Sequence, residues 1–292
     1  MEISRQQALE CFRSDDLIGI GMEANAVRRR LHPEGVVGYA VNCAIGLRGD
    51  VSGEEICAEI REAVDRGSRS VRLRGSIEIE TALRSVRRSF PELWIEGPSA
   101  TQILSLAKDG GLAVRDTISR LVDAGMSSLG FDDTQPQCRL EEWIAVHRAA
   151  HGLGVRTAAT MYFGMGETPD QRIDFLQAVH QLQEETGGFT AFIPAPAKAA
   201  NGRELDAVTA VEQMKTLAIA RIVLDKIENI QWNAAAQSLK VLQTGLRFGA
   251  NDTGSIAPNS DSPSEEDLRR VIREAGFQPV QRDASYSMMF LN

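Results

Sequence analysis

The stretch from Arg156 to Pro194 constrains the fold more than any other part of the chain. It runs RTAATMYFGMGETPDQRIDFLQAVHQLQEETGGFTAFIP. An apolar run closes on Gly-x-Gly-Glu-Thr-Pro, an amphipathic pattern follows, and a second apolar run closes at Pro194. Strand, helix and strand in that order make one βα unit of a parallel barrel or doubly wound sheet. The same order recurs along the chain. VVGYAVNCAIGL (36–47) is a continuous apolar run suited to a strand buried on both faces. SVRLRG (70–75), LWIEG (93–97), SSLGFDD (127–133), NIQWNAA (229–235) and LRFGAND (246–252) read as further strands. Helical patterns fill 78–90, 99–108 and 114–124, and Ser52 with Glu55 forms a capping box for the helix that ends near Arg66. With right-handed crossovers, this spacing predicts a (β/α) barrel of the TIM type with about eight parallel strands.

Residues 4–31 precede the first strand and read as two helices, with Ser14, Asp15 and Asp16 supplying the break and the N-cap. The expected division is therefore an N-terminal helical segment, 1–35, packed on a barrel that fills 36–292. The tail PVQRDASYSMMF alternates enough to add an edge strand after the last helix.

Charge excludes some partners. The net charge is −8, and the basic runs VRRRLH and RSVRR lie at helical spacing on solvated faces, so no nucleic-acid partner is expected. No run of eighteen apolar residues occurs, and MEISRQQAL resembles neither a signal nor a transit peptide. The expectation is a cytoplasmic protein with no membrane partner. Cys11, Cys43, Cys57 and Cys138 are scattered, with no close pair among them, and read as free thiols. His147 and His151 stand four apart on a predicted helix, but Arg-Ala-Ala separates them, so the glutamate of a zinc-protease motif is missing and no metal site is expected.

Active sites of such barrels lie at the C-terminal ends of the strands. The polar residues expected there are Glu78 and Glu80, Glu96, Asp132 and Asp133, Tyr162 and Glu167, Lys198, Asn233, and Asn251, Asp252 and Ser255. Asp132, Glu96 and Lys198 are the candidate catalytic groups, because paired carboxylates divide acid and base roles when their environments separate their pKa values. Tyr162, Glu167, Asn233, Asn251, Asp252 and Ser255 are the candidate ligand-binding groups. Glu167 equally suits a helix first turn, and Asn251–Asp252 a plain tight turn.

The wording of 156–194, with AIARIVLDKIENIQ, LRFGANDTGS and EAGFQPVQRDASY, resembles the radical-SAM enzymes of the futalosine route to menaquinone. Cyclic dehypoxanthinyl futalosine synthase and aminofutalosine synthase are the members most similar in wording. The resemblance implies a radical-SAM barrel, a futalosine-like nucleoside ligand, and a [4Fe–4S] cluster held by C-x-x-x-C-x-x-C after the first strand, with the fourth iron left for SAM. That triplet is not in this sequence: GYAVNCAIGL passes directly into RGDVSGEEI, with Cys43 alone nearby. Elsewhere the family's His-Pro segment is replaced by RGSIEIE, and its Trp-Pro-Phe-Gln by APAKAANG. The expectation is thus a barrel with no cofactor, [4Fe–4S] not expected and SAM doubtful. It would act as a pseudoenzyme that binds a futalosine-like nucleoside or another menaquinone-pathway protein. The alternatives are a non-radical acid–base enzyme acting on such a nucleoside, and an orthodox radical-SAM synthase.

Overall fold

Apolar alternation with helical punctuation sets the element order. In a computed structural model, residues 3–47, 52–75, 78–131, 138–197, 208–234, 238–258 and 263–289 are described. Two helices come first, α1 (Arg5–Arg13) and α2 (Leu17–Leu31). Strand and helix then alternate: β1 (Val36–Gly46), α3 (Gly53–Asp65), β2 (Ser70–Arg74), α4 (Ile79–Ser89) and β3 (Trp94–Glu96). Three helices follow, α5 (Ala100–Gly110), α6 (Val114–Asp123) and α7 (Leu140–His151). The second half comprises β4 (Thr157–Phe163), α8 (Pro169–Thr186), β5 (Phe189–Pro196), α9 (Ala210–Val223), β6 (Asn229–Ile230), α10 (Leu239–Arg247), β7 (Asp252–Ile256), α11 (Glu265–Glu274) and β8 (Gln278–Gln281). No helix among the described residues is long and apolar enough to cross a membrane.

All strand pairings between these elements are parallel. One sheet runs β3-β2-β1-β7 and the other β4-β5-β6, and a parallel bridge from Gln231 to Asp252 joins them. A bridge from Glu96 to Ser128 adds one more wall segment beside β3. The strands thus form a TIM-type (β/α) wall, in which the free edges of Ser128 and β4 face one another with no backbone pairing among the described residues. Val71 and Leu73 of β2 and Val37, Tyr39 and Ile45 of β1 are buried in the layer between strands and helices. Their sequence neighbours Gly38, Ala40, Asn42, Ser70 and Arg72 therefore face the lumen.

The two N-terminal helices pack on the second half of the wall. Asp16 caps α2, as its place in the break predicts. Arg5 bonds Asp170 and Asp174 of α8, and Arg30 bonds Asp225. A Cβ on Gly21 would lie 2.7 Å from the Phe248 ring, so that glycine sets how closely α2 approaches.

Two sequence expectations need correction. LRFGAND is not a strand: Leu242 and Leu246 are fully buried on one face of α10, and the chain turns at Gly249 (φ 102°) before β7 begins at Asp252. SSLGFDD contributes only the Ser128 bridge, and residues 132–133 lie outside those described. The tail supplies the strand expected of it at an edge, since β8 pairs with a single strand among those described. β8 pairs with Val36–Tyr39 of β1, while β2 takes Asn42–Gly46, so the eleven-residue β1 is long enough for both. Beyond β8 the chain folds back, with an antiparallel bridge from Arg282 to Met288.

Candidate functional site in the barrel lumen

The alternation on β1, β2 and β3 brings Ala44, Arg72 and Glu96 into register on neighbouring strands. Arg72 donates from Nε to Glu96 Oε2 at 2.8 Å, and Asn42 donates from Nδ2 to Glu96 Oε1 at 3.3 Å. The Arg72 guanidinium lies 3.3 Å from the centroid of the Phe131 ring, a stacked cation–π contact. Arg72 and Glu96 are 11% and 17% exposed, so this pair sits away from bulk water but is reachable from the lumen. Asn42 Oδ1 is buried and has no hydrogen-bond partner. Ala44 beside the pair is exposed, which keeps the space above it open. A guanidinium with unused N–H donors, a carboxylate, an unpaired amide oxygen and a ring make a site suited to a polar ligand with an aromatic part.

Deeper in the lumen, Arg282 of the C-terminal hairpin meets Asp252 of β7. Its Nη2 donates to Asp252 Oδ1 at 2.9 Å, and its Nε contacts Oδ2. Nη2 also reaches Gln231 Oε1 at 3.3 Å, which accepts from Tyr286 Oη at 2.7 Å. Gly38 makes room for this cluster, since a Cβ there would lie 2.6 Å from Asp252 Oδ2. Tyr286 holds a left-handed backbone (φ 68°) at the hairpin tip.

The candidate residues named from sequence divide by place. Glu96 belongs to the lumen cluster with Arg72. Tyr162 lines a cleft beside it, together with Thr160 and Phe131. Gly254, which faces the lumen, would place a Cβ 3.2 Å from Asn233 Oδ1. Ser255 is half-buried opposite Ala40. Asp132 and Lys198 lie outside the described residues. Three others are bonded to the scaffold in this structure. Asp252 is bound to Arg282, as described. Glu167 accepts from the backbone N–H of Gly164 at 2.7 Å and Met165 at 2.8 Å, and from Arg172. Burial raises its pKa, but these backbone donors and Arg172 outweigh that and hold it below the ordinary value. Asn251 is fully buried, accepts from Arg221 at 2.6 Å and donates to Asn229 at 2.9 Å. Sequence reasoning missed Arg72 and Arg282. The signal for Arg72 was present: a charge at the centre of SVRLR, flanked by apolar residues, must face a lumen.

The histidine pair is not arranged as metal ligands. His147 Nδ1 and His151 Nε2 share the Thr157 hydroxyl at 2.8 and 2.9 Å. Burial pushes both imidazoles down, to about 3 and about 4.

A parallel wall around this lumen defines the class, a TIM-type (β/α) barrel. The chain superposes on methylornithine synthase (PylB) with a TM-score of 0.69, covering 96% of this chain and 94% of that one at 14% identity. The C-terminal segment, residues 186–291, matches the family described as CofH/MqnC C-terminal region. A 5-amino-6-(D-ribitylamino)uracil–L-tyrosine 4-hydroxyphenyl transferase from Methanosarcina barkeri is 30% identical, over 80% of this chain and 72% of its own. The cyclic dehypoxanthine futalosine synthase of Streptomyces coelicolor is 27% identical, over 99% of this chain and 86% of its own. The chain belongs to the CofH/MqnC family of radical-SAM proteins.

That membership overturns the expectation of a cofactor-free barrel, because the relatives and structural neighbours are radical-SAM enzymes that use [4Fe–4S] and SAM. The thiols of this chain do not fit the family cluster. Cys43 lies on β1 with Sγ 3.8 Å from Ser70 O, and burial pushes its pKa up to about 11, which disfavours the ligating thiolate. Cys57 is held between α3 and α4 by Ser85 and Ser89. Cys138 lies 3.9 Å from Thr101 Oγ1, and Cys11 is on α1. No group of three His, Cys, Asp or Glu side chains suited to a metal occurs among the described residues.

Proposed function

We propose that this protein is a ligand-binding member of the CofH/MqnC family, which holds a futalosine-like nucleoside in the barrel lumen and does not drive the family's radical reaction on thiolates of its own. The observation that carries the first half is the Asn42–Arg72–Glu96–Phe131 cluster. Its polar groups lie on the lumen side of the strands, and one buried amide oxygen has no protein partner. A nucleoside supplies hydroxyl donors for Glu96 and Asn42, acceptors for Arg72, and a ring for Phe131. The futalosine names of the relatives support this ligand class. The second half rests on the dispersed thiols described above.

An acid–base enzyme on the same scaffold is less well supported. Both Glu96 oxygens are already engaged, by Asn42 and by Arg72, and this suits recognition better than proton transfer. The test is to incubate the protein with a futalosine nucleoside, separate bound from free, and chromatograph both fractions. The nucleoside should co-elute with the protein and return unchanged. Conversion to a new product would sink the binding-only reading, and failure to co-elute would sink the ligand.

A further inference from the structure

The outer face of α2 carries apolar side chains left open to solvent. Ile18 is 73% exposed and Met22 69%, the most exposed large apolar residues among those described. Ala26, one turn further on, is exposed as well. The opposite face of the same helix is the one that packs, with Ile20, Gly21, Ala24 and Arg28 buried. At 3.6 residues per turn, Ile18, Met22, Ala26 and Arg29 fall within about 80° of one another around the helix. A lone exposed apolar side chain is ordinary, but a set aligned on one helix face marks a contact surface.

The charges at the two ends of this stripe are already sorted. Asp16 caps the helix by accepting from the Gly19 N–H at 2.8 Å. Arg28 is buried beside Asn25, and Arg30 is paired with Asp225 at 2.9 Å. That leaves Asp15 just before the N-cap and Arg29 in the last turn, both exposed and neither in an ion pair among the described residues. Asp15 and Arg29 stand seven residues before and after Met22, and Ile18 and Ala26 stand four. Reversed about Met22, the stripe is therefore its own complement, apolar on apolar and acid on base.

We propose that two copies of this chain pair through this face, α2 running antiparallel to its counterpart about a two-fold axis at Met22. Such an axis sets Met22 against the partner's Met22, Ile18 against the partner's Ala26 and Asp15 against the partner's Arg29, the last two contacts being made twice. A parallel pairing would instead set like charges against one another at both ends, which electrostatic repulsion disfavours. Glu23, about 100° around the helix from Met22, lies on the flank towards α1, where its charge reaches Cys11. The helix has 15 residues and is about 22 Å long. One such helix pair makes a small interface of the transient class, below about 1,200 Å², so the dimer should come apart on dilution. The inference is independent of the ligand in the lumen.

The test is sedimentation velocity of the full chain over a wide concentration range, at low and at high salt. The wild-type protein should move from monomer towards dimer as concentration rises, and less so at high salt, which screens the contacts between Asp15 and the partner's Arg29. Asp15→Arg and Arg29→Asp should each weaken the dimer about five-fold, because each turns two attractive contacts repulsive. Asp15→Arg combined with Arg29→Asp restores opposite charges and should regain the wild-type association. Met22→Arg should hold the chain monomeric with Tm unchanged, since that side chain lies outside the core. Should Met22→Arg fail to fold, the charge reversals decide alone. A chain that stays monomeric at every concentration, or a dimer indifferent to Met22→Arg, would overturn the proposal. Two weakened single reversals with no rescue in the folded double variant would overturn the antiparallel pairing.

Discussion

Arg282 and Asp252 form a two-point ion pair inside the barrel, with side chains 4% and 1% exposed. The pair ties the C-terminal hairpin to β7, and with Gln231 and Tyr286 it fills the lumen below the Arg72–Glu96 cluster. Removing one partner leaves a buried charge uncompensated, a cost of about 3–5 kcal/mol. Arg282→Met should therefore lower the urea midpoint sharply. Arg282→Met combined with Asp252→Leu should recover much of the loss, because neither charge is then left alone. Additive losses would contradict the pairing.

The histidine pair makes stability depend on pH in a predictable direction. Both imidazoles are neutral in the fold, with pKa values lowered by burial from 6.5 to about 3 and about 4. The unfolded chain therefore binds protons below pH 6.5 that the native state refuses, so stability is full above that value and falls as pH drops towards 4 and 3. His147 should contribute up to about 1.4 kcal/mol per pH unit in that window, and His151, which is less buried, should contribute less. Denaturation curves from pH 7 to 4 check this, and His147→Phe should flatten the slope.

Cys43 should behave as an unreactive thiol. With its pKa pushed up to about 11, the thiolate fraction at pH 8 is small, and alkylation should accelerate steadily as pH rises towards 11. Mass spectrometry of timed iodoacetamide digests gives the rate for each cysteine. Fast modification of Cys43 at neutral pH would contradict the burial described for it and weaken the case against ligation.

Much of the wall was legible because its signals are local. Ser52 with Glu55 forms the expected capping box of α3, and the apolar runs at 36–47 and 157–163 became β1 and β4. The failures arose where tertiary packing chose between readings. LRFGAND is apolar enough for a strand, but Leu242 and Leu246 share a helical face and Gly249 supplies a turn. The site was less legible than the fold. Glu96 was identified by its position after a strand, yet its partner Arg72 was read only as part of a strand, and Arg282 as tail. Ion pairs between residues 24 and 30 positions apart leave no mark in local pattern.

The most direct test of the lumen site is calorimetric titration of a futalosine nucleoside into wild-type protein and the Arg72→Met and Asn42→Leu variants. Arg72→Met should weaken binding at least about ten-fold, roughly 1.4 kcal/mol. Asn42→Leu should weaken binding with only a small loss of stability, since the fold uses its Nδ2 in one 3.3 Å bond to Glu96 and its Oδ1 in none. Unchanged affinity in both variants, with both still folded, would contradict the account.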